Sequence, residues 1–170
     1  MVKRKCRKIY REAFKDPDLS FERLLFKHCY KYCVSIKRGL SPVSMYFALP
    51  CVLKTDNERR NAIYFYAAAT DEKYRGRGYM AELIKRAKKK HDLIFLRPAE
   101  PSLISYYSRF GFKTATATEG FSEIELQPFG GYGELIGKIG SGEKEKEYVL
   151  MYYSKKEEAF DKIGFAYSMN

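Results

Sequence analysis

No apolar run in this sequence approaches the roughly 18 residues that a helix needs to cross a bilayer, so no membrane-spanning segment is expected. The basic start, Met1-Val2-Lys3-Arg4-Lys5-Cys6-Arg7-Lys8, leads into no apolar stretch, which argues against a secretory signal. The expected location is the cytoplasm. Cysteine is scarce, with four residues at positions 6, 29, 33 and 51, and in a reducing compartment they are expected as free thiols. His28, Cys29 and Cys33 invite a metal reading, because Cys29 and Cys33 would share a helical face. No second ligand pair stands at a matching spacing, and two thiols on an apolar helix behave as small hydrophobes. No metal is expected. Internal repeats are absent, and the only low-complexity stretch is glycine-rich, at about residues 127–146.

What remains is a chain rich in core-forming residues. Hydrophobic residues make up 45% of the 170 positions and aromatic ones 16%, which excludes a disordered chain. The length fits one domain over residues 1–170. A formal net charge of +11 favours an anionic partner, whether nucleic acid, membrane surface or anionic cofactor, without choosing among them.

Periodicity orders the elements. Ile9, Tyr10, Ala13 and Phe14 repeat at helical spacing within about Lys3 to Lys15, and Pro17 interrupts. Ser20 is placed to cap a second helix with Phe21, Leu24, Leu25 and His28 on one face. Alternation then begins at Val34 and Ile36, turns at Arg38-Gly39, and resumes in a long β-rich run from Val43 to Thr55, where Pro50 marks an expected bulge or break. A buried strand is expected over Ala62 to Thr70 and a helix over Tyr79 to Lys90. A strand from Leu93 to Arg97, a short helix from Ser102 to Arg109 and a strand from Lys113 to Thr118 follow. Further strands are expected at Phe121 to Leu126 and Tyr148 to Tyr153, joined by a glycine-rich excursion over Gln127 to Lys146. The expected fold class is α/β (α+β), a mixed sheet covered by helices.

The segment from Ile63 to Met80 carries the most chemistry. A buried strand passes through a short turn into Arg75-Gly76-Arg77-Gly78-Tyr79-Met80, where the glycines open an amphipathic helix. A helix start leaves backbone N–H groups unpaired, with the positive end of the helix dipole behind them. Gly76 and Gly78 have no side chain to keep an anion from those amides, so the loop can cradle a pyrophosphate. Three other readings compete: an RNA-binding Arg/Gly tract, which would repeat; a dinucleotide or Walker loop, which would need a third glycine or Gly-Lys-Ser/Thr; and an ordinary strand-to-helix turn.

Ala-Thr-Asp-Glu-Lys-Tyr-Arg-Gly-Arg-Gly resembles the coenzyme A motif, Arg/Gln-x-x-Gly-x-Gly/Ala, of the GCN5-related N-acetyltransferase (GNAT) superfamily. Met80 stands where the last small residue would be. Leu93 to Pro98 followed by Ser102 to Phe112 is similar to that family's second signature, a strand ending at a break and a short helix closing as Tyr-x-x-x-Gly-Phe. Together the two cover about residues 62–113. The resemblance implies a single GNAT-like domain with a mixed, mostly antiparallel central sheet flanked by helices. It implies acetyl-CoA as co-substrate, its pyrophosphate on the amides of Gly76, Arg77, Gly78, Tyr79 and Met80 beside Arg75, and its pantetheine arm along Ala68, Ala69 and Thr70. Lys85, Arg86 and Lys88 to Lys90 would draw its adenosine phosphates. Tyr107 stands at the general acid's position; a phenol of reference pKa about 10 is protonated at neutral pH and can donate to a departing thiolate. Its other reading is plain packing, as one of 15 tyrosines, with Tyr106 its core-facing neighbour. Many family members carry an Asn seven residues earlier, where this chain has Glu100.

The function so implied is transfer of an acetyl group from coenzyme A thioester to a primary amine on a small molecule or peptide. No carboxylate stands in Ala62 to Thr70 to serve as base; Glu123 and Glu125 on a later strand, and Asp56 and Glu58 in a turn, are the remaining acids. One alternative is a basic RNA-binding or ribosome-associated module, which would need aromatics and Arg in a stripe on one sheet face. Here the aromatics are spread along the chain, which speaks against nucleic acid. Another is a non-catalytic acyl-CoA-binding domain. The acceptor, the base and the oligomeric state are not legible.

Overall fold

The computed structural model describes residues 1–15, 19–55, 59–116, 122–126, 149–156 and 164–166. Two helices open the chain, α1 (Val2–Phe14) and α2 (Leu19–His28), followed by strands β1 (Cys33–Arg38), β2 (Ser41–Thr55) and β3 (Arg59–Thr70). Helix α3 (Tyr79–Lys90), strand β4 (Leu93–Leu96), helix α4 (Ser102–Ser108) and strands β5 (Lys113–Thr116), β6 (Ser122–Leu126), β7 (Val149–Ser154) and β8 (Gly164–Ala166) complete it. One sheet runs β5-β7-β4-β3-β2-β6-β8, with β1 also paired to β2. Among the described residues only β3 with β4 and β6 with β8 are parallel; the remaining pairs are antiparallel. The expected mixed, mostly antiparallel sheet covered by helices is therefore present.

Helices cover both faces because strand side chains alternate. On one face Cys6, Ile9 and Tyr10 of α1, spaced i, i+3, i+4, and Phe21, Leu25 and Phe26 of α2 meet Met45, Phe47, Leu49, Tyr64 and Phe95. On the other, Leu83, Ile84 and Ala87 of α3 and Tyr107 of α4 meet Tyr46, Ile63, Phe65, Ile94 and Met151. Burying a side chain such as Leu83 or Ile84 fully contributes about 1.5–3 kcal/mol, so each layer is held by packing rather than propensity.

Several local expectations change. The ladder runs through Pro50, which pairs with Ile63. On the other edge β1 stops at Phe47 and β6 begins at Cys51, so a residue without N–H sits where that edge is open. The irregularity lies instead at Met45–Phe47, where Ala67 and Ala68 together oppose Tyr46. Tyr66 and Ala67 consequently pack toward the same face, and Ala67 takes φ +50°, the mark of a bulge. Cys29 and Cys33 share no helix: the Cys29 N–H closes α2 on Leu25 O, while Cys33 opens β1 with its thiol hydrogen-bonded to that of Cys6. Leu19, not Ser20, begins α2, and its buried face includes Glu22, gripped by Arg7 and Arg11 of α1. Asp56, Glu58 and the 127–146 excursion lie outside the described residues.

Candidate functional site

Strands β3 and β4 run side by side only at Ile63–Tyr64 against Ile94–Phe95. Beyond that point they part, and no described strand pairs the β4-facing edge of β3. Two cavities occupy the wedge. The larger, about 720 Å³, lies between Ala68–Thr70, the loop from Tyr74 to Gly78, the first turn of α3, and Leu103, Tyr106, Tyr107 and Phe110. The smaller, about 250 Å³, lies beneath α1, against Tyr64 to Ala68 and Arg97 to Ala99. Ala68, Leu103 and Tyr107 line both.

The loop is built to leave its amides open. Asp71 ends β3; its N–H bonds Val43 O, and its carboxylate accepts the Lys73 N–H at 3.2 Å, starting a 3₁₀ turn over Glu72–Tyr74. Gly76 and Gly78 then adopt φ +71° and +79°, a conformation that L side chains disfavour. A Cβ at either would meet no atom within 4 Å, so glycine serves the turn and the open space in front of it. Gly78 caps α3, and the first N–H to return into the helix is that of Glu82, to Gly78 O at 2.9 Å. The N–H groups of Gly76 through Ala81 have no acceptor among the described residues. All of these residues except Arg77 line the larger cavity, ahead of the positive end of α3's dipole. Arg75 folds back, its Nε donating to Thr70 O at 3.2 Å, and Arg77 stacks on Tyr74.

The strand edge divides. Thr70 is already engaged, its hydroxyl 2.8 Å from Ser44 Oγ and its carbonyl on Arg75. Ala69 lines the cavity as well, but pairs with Met45 and its carbonyl accepts from Ser44 Oγ at 3.4 Å, so Ala68, just after the bulge, is the part of the edge left without a partner among the described residues. Of the basic residues on α3, Lys88 turns inward, its amine donating to Phe110 O and lying 4.3 Å from the Tyr153 ring centroid, and Arg86 pairs with Glu82. Lys85, Lys89 and Lys90 are exposed.

Tyr107 is buried, at 7% exposure, and Tyr106 is the more open of the two, packed on Phe110 under Arg109; the expected order is reversed. Burial, and to a lesser extent Tyr106, pushes the Tyr107 phenol up to about 12. Its hydroxyl has no hydrogen-bond partner among the described residues, an uncommon state for a buried donor. Glu100 is exposed and accepts from Ser102. Glu123 and Glu125 sit on β6, which pairs with Cys51–Thr55, the end of β2 remote from the bulge.

One pair escaped the sequence reading. Lys5 of α1 reaches Asp71 at 2.8 Å and ties the helix over the smaller cavity to the base of the loop. A local signal existed, since Asp two residues before Lys73 is the pattern of an Asx turn; its partner far along the chain gave none.

Residues 3–115 match the sequence family described as acetyltransferase (GNAT) domain. The chain belongs to that family. No curated protein matches the sequence. Solved GNAT-like structures share its fold at low identity. The Bacillus subtilis N-acetyltransferase YlbP, solved in complex with coenzyme A, is 13% identical over 88% of this chain and 90% of that one, with a TM-score of 0.52. A GNAT-family acetyltransferase from Staphylococcus aureus is 14% identical over 91% and 93%, with a TM-score of 0.55. A larger GCN5-related N-acetyltransferase from Kribbella flavida is 13% identical over 68% of this chain, with a TM-score of 0.54; this chain spans about a third of its length, 33%. No helix among the described residues is long and apolar enough to cross a membrane.

Proposed function

We propose that this GNAT chain, as one domain over residues 1–170, transfers an acetyl group from acetyl-CoA to an amine. The observation that carries the reading is a run of main-chain amides, Gly76 to Ala81, that have no acceptor among the described residues and stand beside a cavity whose far wall is a strand edge that no described strand pairs. A pyrophosphate suits the amides. An arm with amide donors and acceptors suits the edge at Ala68, much as an added strand would. The thioester then lies near Tyr107, where the two cavities meet.

The reaction needs no covalent enzyme intermediate. The amine nitrogen, entering from the smaller cavity, attacks the acetyl carbonyl as its neutral base. The new N–C bond forms, the C–S bond breaks, nitrogen gives up one proton and the departing sulfur takes one. A backbone N–H beside the bulge, re-aimed by the Ala67 conformation, is suited to the transient oxyanion. Tyr107 remains protonated throughout the physiological range. Full transfer from a phenol near 12 to a thiolate of ordinary pKa about 8.5 is uphill, so its part is a hydrogen bond that stabilises sulfur as charge develops. Both sheet faces carry helices, which leaves no aromatic stripe for RNA among the described residues.

The test is calorimetric titration of acetyl-CoA into the native chain and into Gly78→Val. A β-branched residue at φ +79° is strained and its side chain stands in front of the amides. Binding to the native chain, reduced on the order of 100-fold in a variant that remains folded, supports the cradle. Equal affinities would overturn it.

A further inference from the structure

We propose that Cys6 and Cys33 are a peroxide-sensitive dithiol, which hydrogen peroxide joins as a disulfide between α1 and β1. The pair takes no part in the acyl transfer proposed above. Strand alternation places it. Val34 and Ile36 of β1 pack with α3, whereas Cys33 packs against the layer that holds α1. Cys6 is fully buried in that layer. Its sulfur accepts hydrogen bonds from the Cys33 thiol and from the hydroxyl of Ser35, two residues further along the same strand face. Tyr30 stands beside both sulfurs, with the Lys3 amine 5.2 Å from its ring centroid. The two thiols are therefore held together by a shell of side chains from both elements.

That shell also sets the chemistry, because the thiolate rather than the thiol attacks an oxidant. The hydrogen bond from Cys33 brings the Cys6 thiol below its ordinary range against the effect of burial, with Ser35 and Lys37 adding to it. The same bond raises Cys33, which keeps its proton for the second step. Cys29 and Cys51 differ: burial pushes Cys29 up to about 11 and raises Cys51 as well, so both stay protonated and unreactive. Cys33 is partly exposed, and from its side an oxidant as small as hydrogen peroxide can reach the pair. The Cys6 thiolate attacks one peroxide oxygen; the S–O bond forms, the O–O bond breaks, and the other oxygen leaves as water with the proton Cys6 had lost. The Cys33 sulfur then attacks the sulfenic sulfur. The S–S bond forms, the S–O bond breaks, and the hydroxyl leaves as a second water with the Cys33 proton. Two electrons pass from the sulfurs to the peroxide. The bond ties α1, which lines the smaller cavity through Tyr10 and Phe14, to the sheet.

The experiment treats the reduced native chain with excess hydrogen peroxide, then unfolds it, alkylates the remaining thiols and maps the peptides by mass spectrometry without reduction. Thermal melting is followed on the same samples. The expected product is a single chain lighter by two hydrogens, linked between Cys6 and Cys33, with Cys29 and Cys51 alkylated. It should melt roughly 10 °C higher, since the bond closes a loop of moderate length in the unfolded chain. Dithiothreitol should reverse both changes by thiol–disulfide exchange. In Cys33→Ser the second step has no thiol, so Cys6 should stop at the sulfenic acid, be trapped by dimedone, and show no rise in melting temperature. A link that includes Cys29 or Cys51, a link between two chains, or thiols all still free under peroxide that oxidises a control peptide would overturn the proposal. So would a Cys6–Cys33 link that melts no higher, because the bond would then not hold α1 in its native place. Where Cys33→Ser does not fold, the map of the native chain decides alone.

Discussion

At the scale of single residues, the proposed site depends on two unlike devices: backbone laid open by glycine and one phenol buried with no hydrogen-bond partner among the described residues. Their failures should look different. Tyr107→Phe removes only a hydroxyl from a packed ring, so acetyl-CoA affinity should hold while turnover drops on the order of 100-fold, the cost of losing one hydrogen-bond donor to a developing charge. Steady-state kinetics beside a binding titration would separate the two; an unchanged kcat would remove Tyr107 from the reaction. The raised phenol makes a second expectation. A tyrosine of ordinary pKa would lose its proton between about pH 9 and 10.5 and take activity with it. Here the proton stays until about pH 12, so kcat should not fall across that interval on account of this group. A decline there that Tyr107→Phe abolishes would show a phenol far less protected than its burial implies.

Elements carry the long-range ties, and they mark the limit of what the sequence told. Helix α3 was legible to the residue, Tyr79–Lys90, because glycines before it and an apolar stripe along it are both local signals. The glycine turn that opens α3 was legible for the same reason. The bulge was not: Pro50 drew the expected bulge or break, yet the extra residue sits at Ala67, where no glycine or proline advertises it and cross-strand pairing with Tyr46 alone imposes it. The Lys5–Asp71 bridge was equally hidden, since nothing local couples α1 to β3. That bridge predicts a graded pair of variants. Asp71→Asn keeps an oxygen for the Lys73 N–H and loses only the charge that Lys5 meets, whereas Asp71→Ala loses the turn's cap as well, worth about 1 kcal/mol. Acetyl-CoA affinity should therefore fall further for Ala than for Asn, and identical losses would show that the cap does not shape the loop. Acid should report the same ties. Hydrogen bonding to Lys5 holds Asp71 below the ordinary carboxylate range. For Glu22, burial pushes the carboxyl up, but Arg11 and Arg7 outweigh it and leave it lowered. Depressed native values stabilise the fold above the unfolded pKa near 4, and that stability disappears as pH falls through the folded values. Melting temperature should thus drop below about pH 4, and the double variant Glu22→Gln with Asp71→Asn should start lower and drop less steeply. An unaltered slope would place acid sensitivity elsewhere.

For the molecule as a whole the question is what a net charge of +11 serves. A positive field speeds the approach of any polyanion, so salt-sensitive association alone does not separate a nucleotide-like co-substrate from RNA. Coupling to the fold does. A ligand seated on the amides of Gly76 to Ala81 and against β3 engages an arrangement that exists only in the native state. At 100 times its dissociation constant it should add about 2.7 kcal/mol, a rise of roughly 5–10 °C in melting temperature for a chain of this size. Single-stranded RNA held by scattered surface lysines would instead show contacts that vanish steeply as salt rises and little shift at about 0.3 M salt. In the proposed site much of the hold on a pyrophosphate would come from neutral amides in a cleft, so the acetyl-CoA shift should persist at that ionic strength. Persistence for RNA with loss for acetyl-CoA would reverse the assignment, because the aromatic rings that RNA needs for stacking are those now buried as Tyr46, Phe47, Tyr64, Phe65 and Phe95.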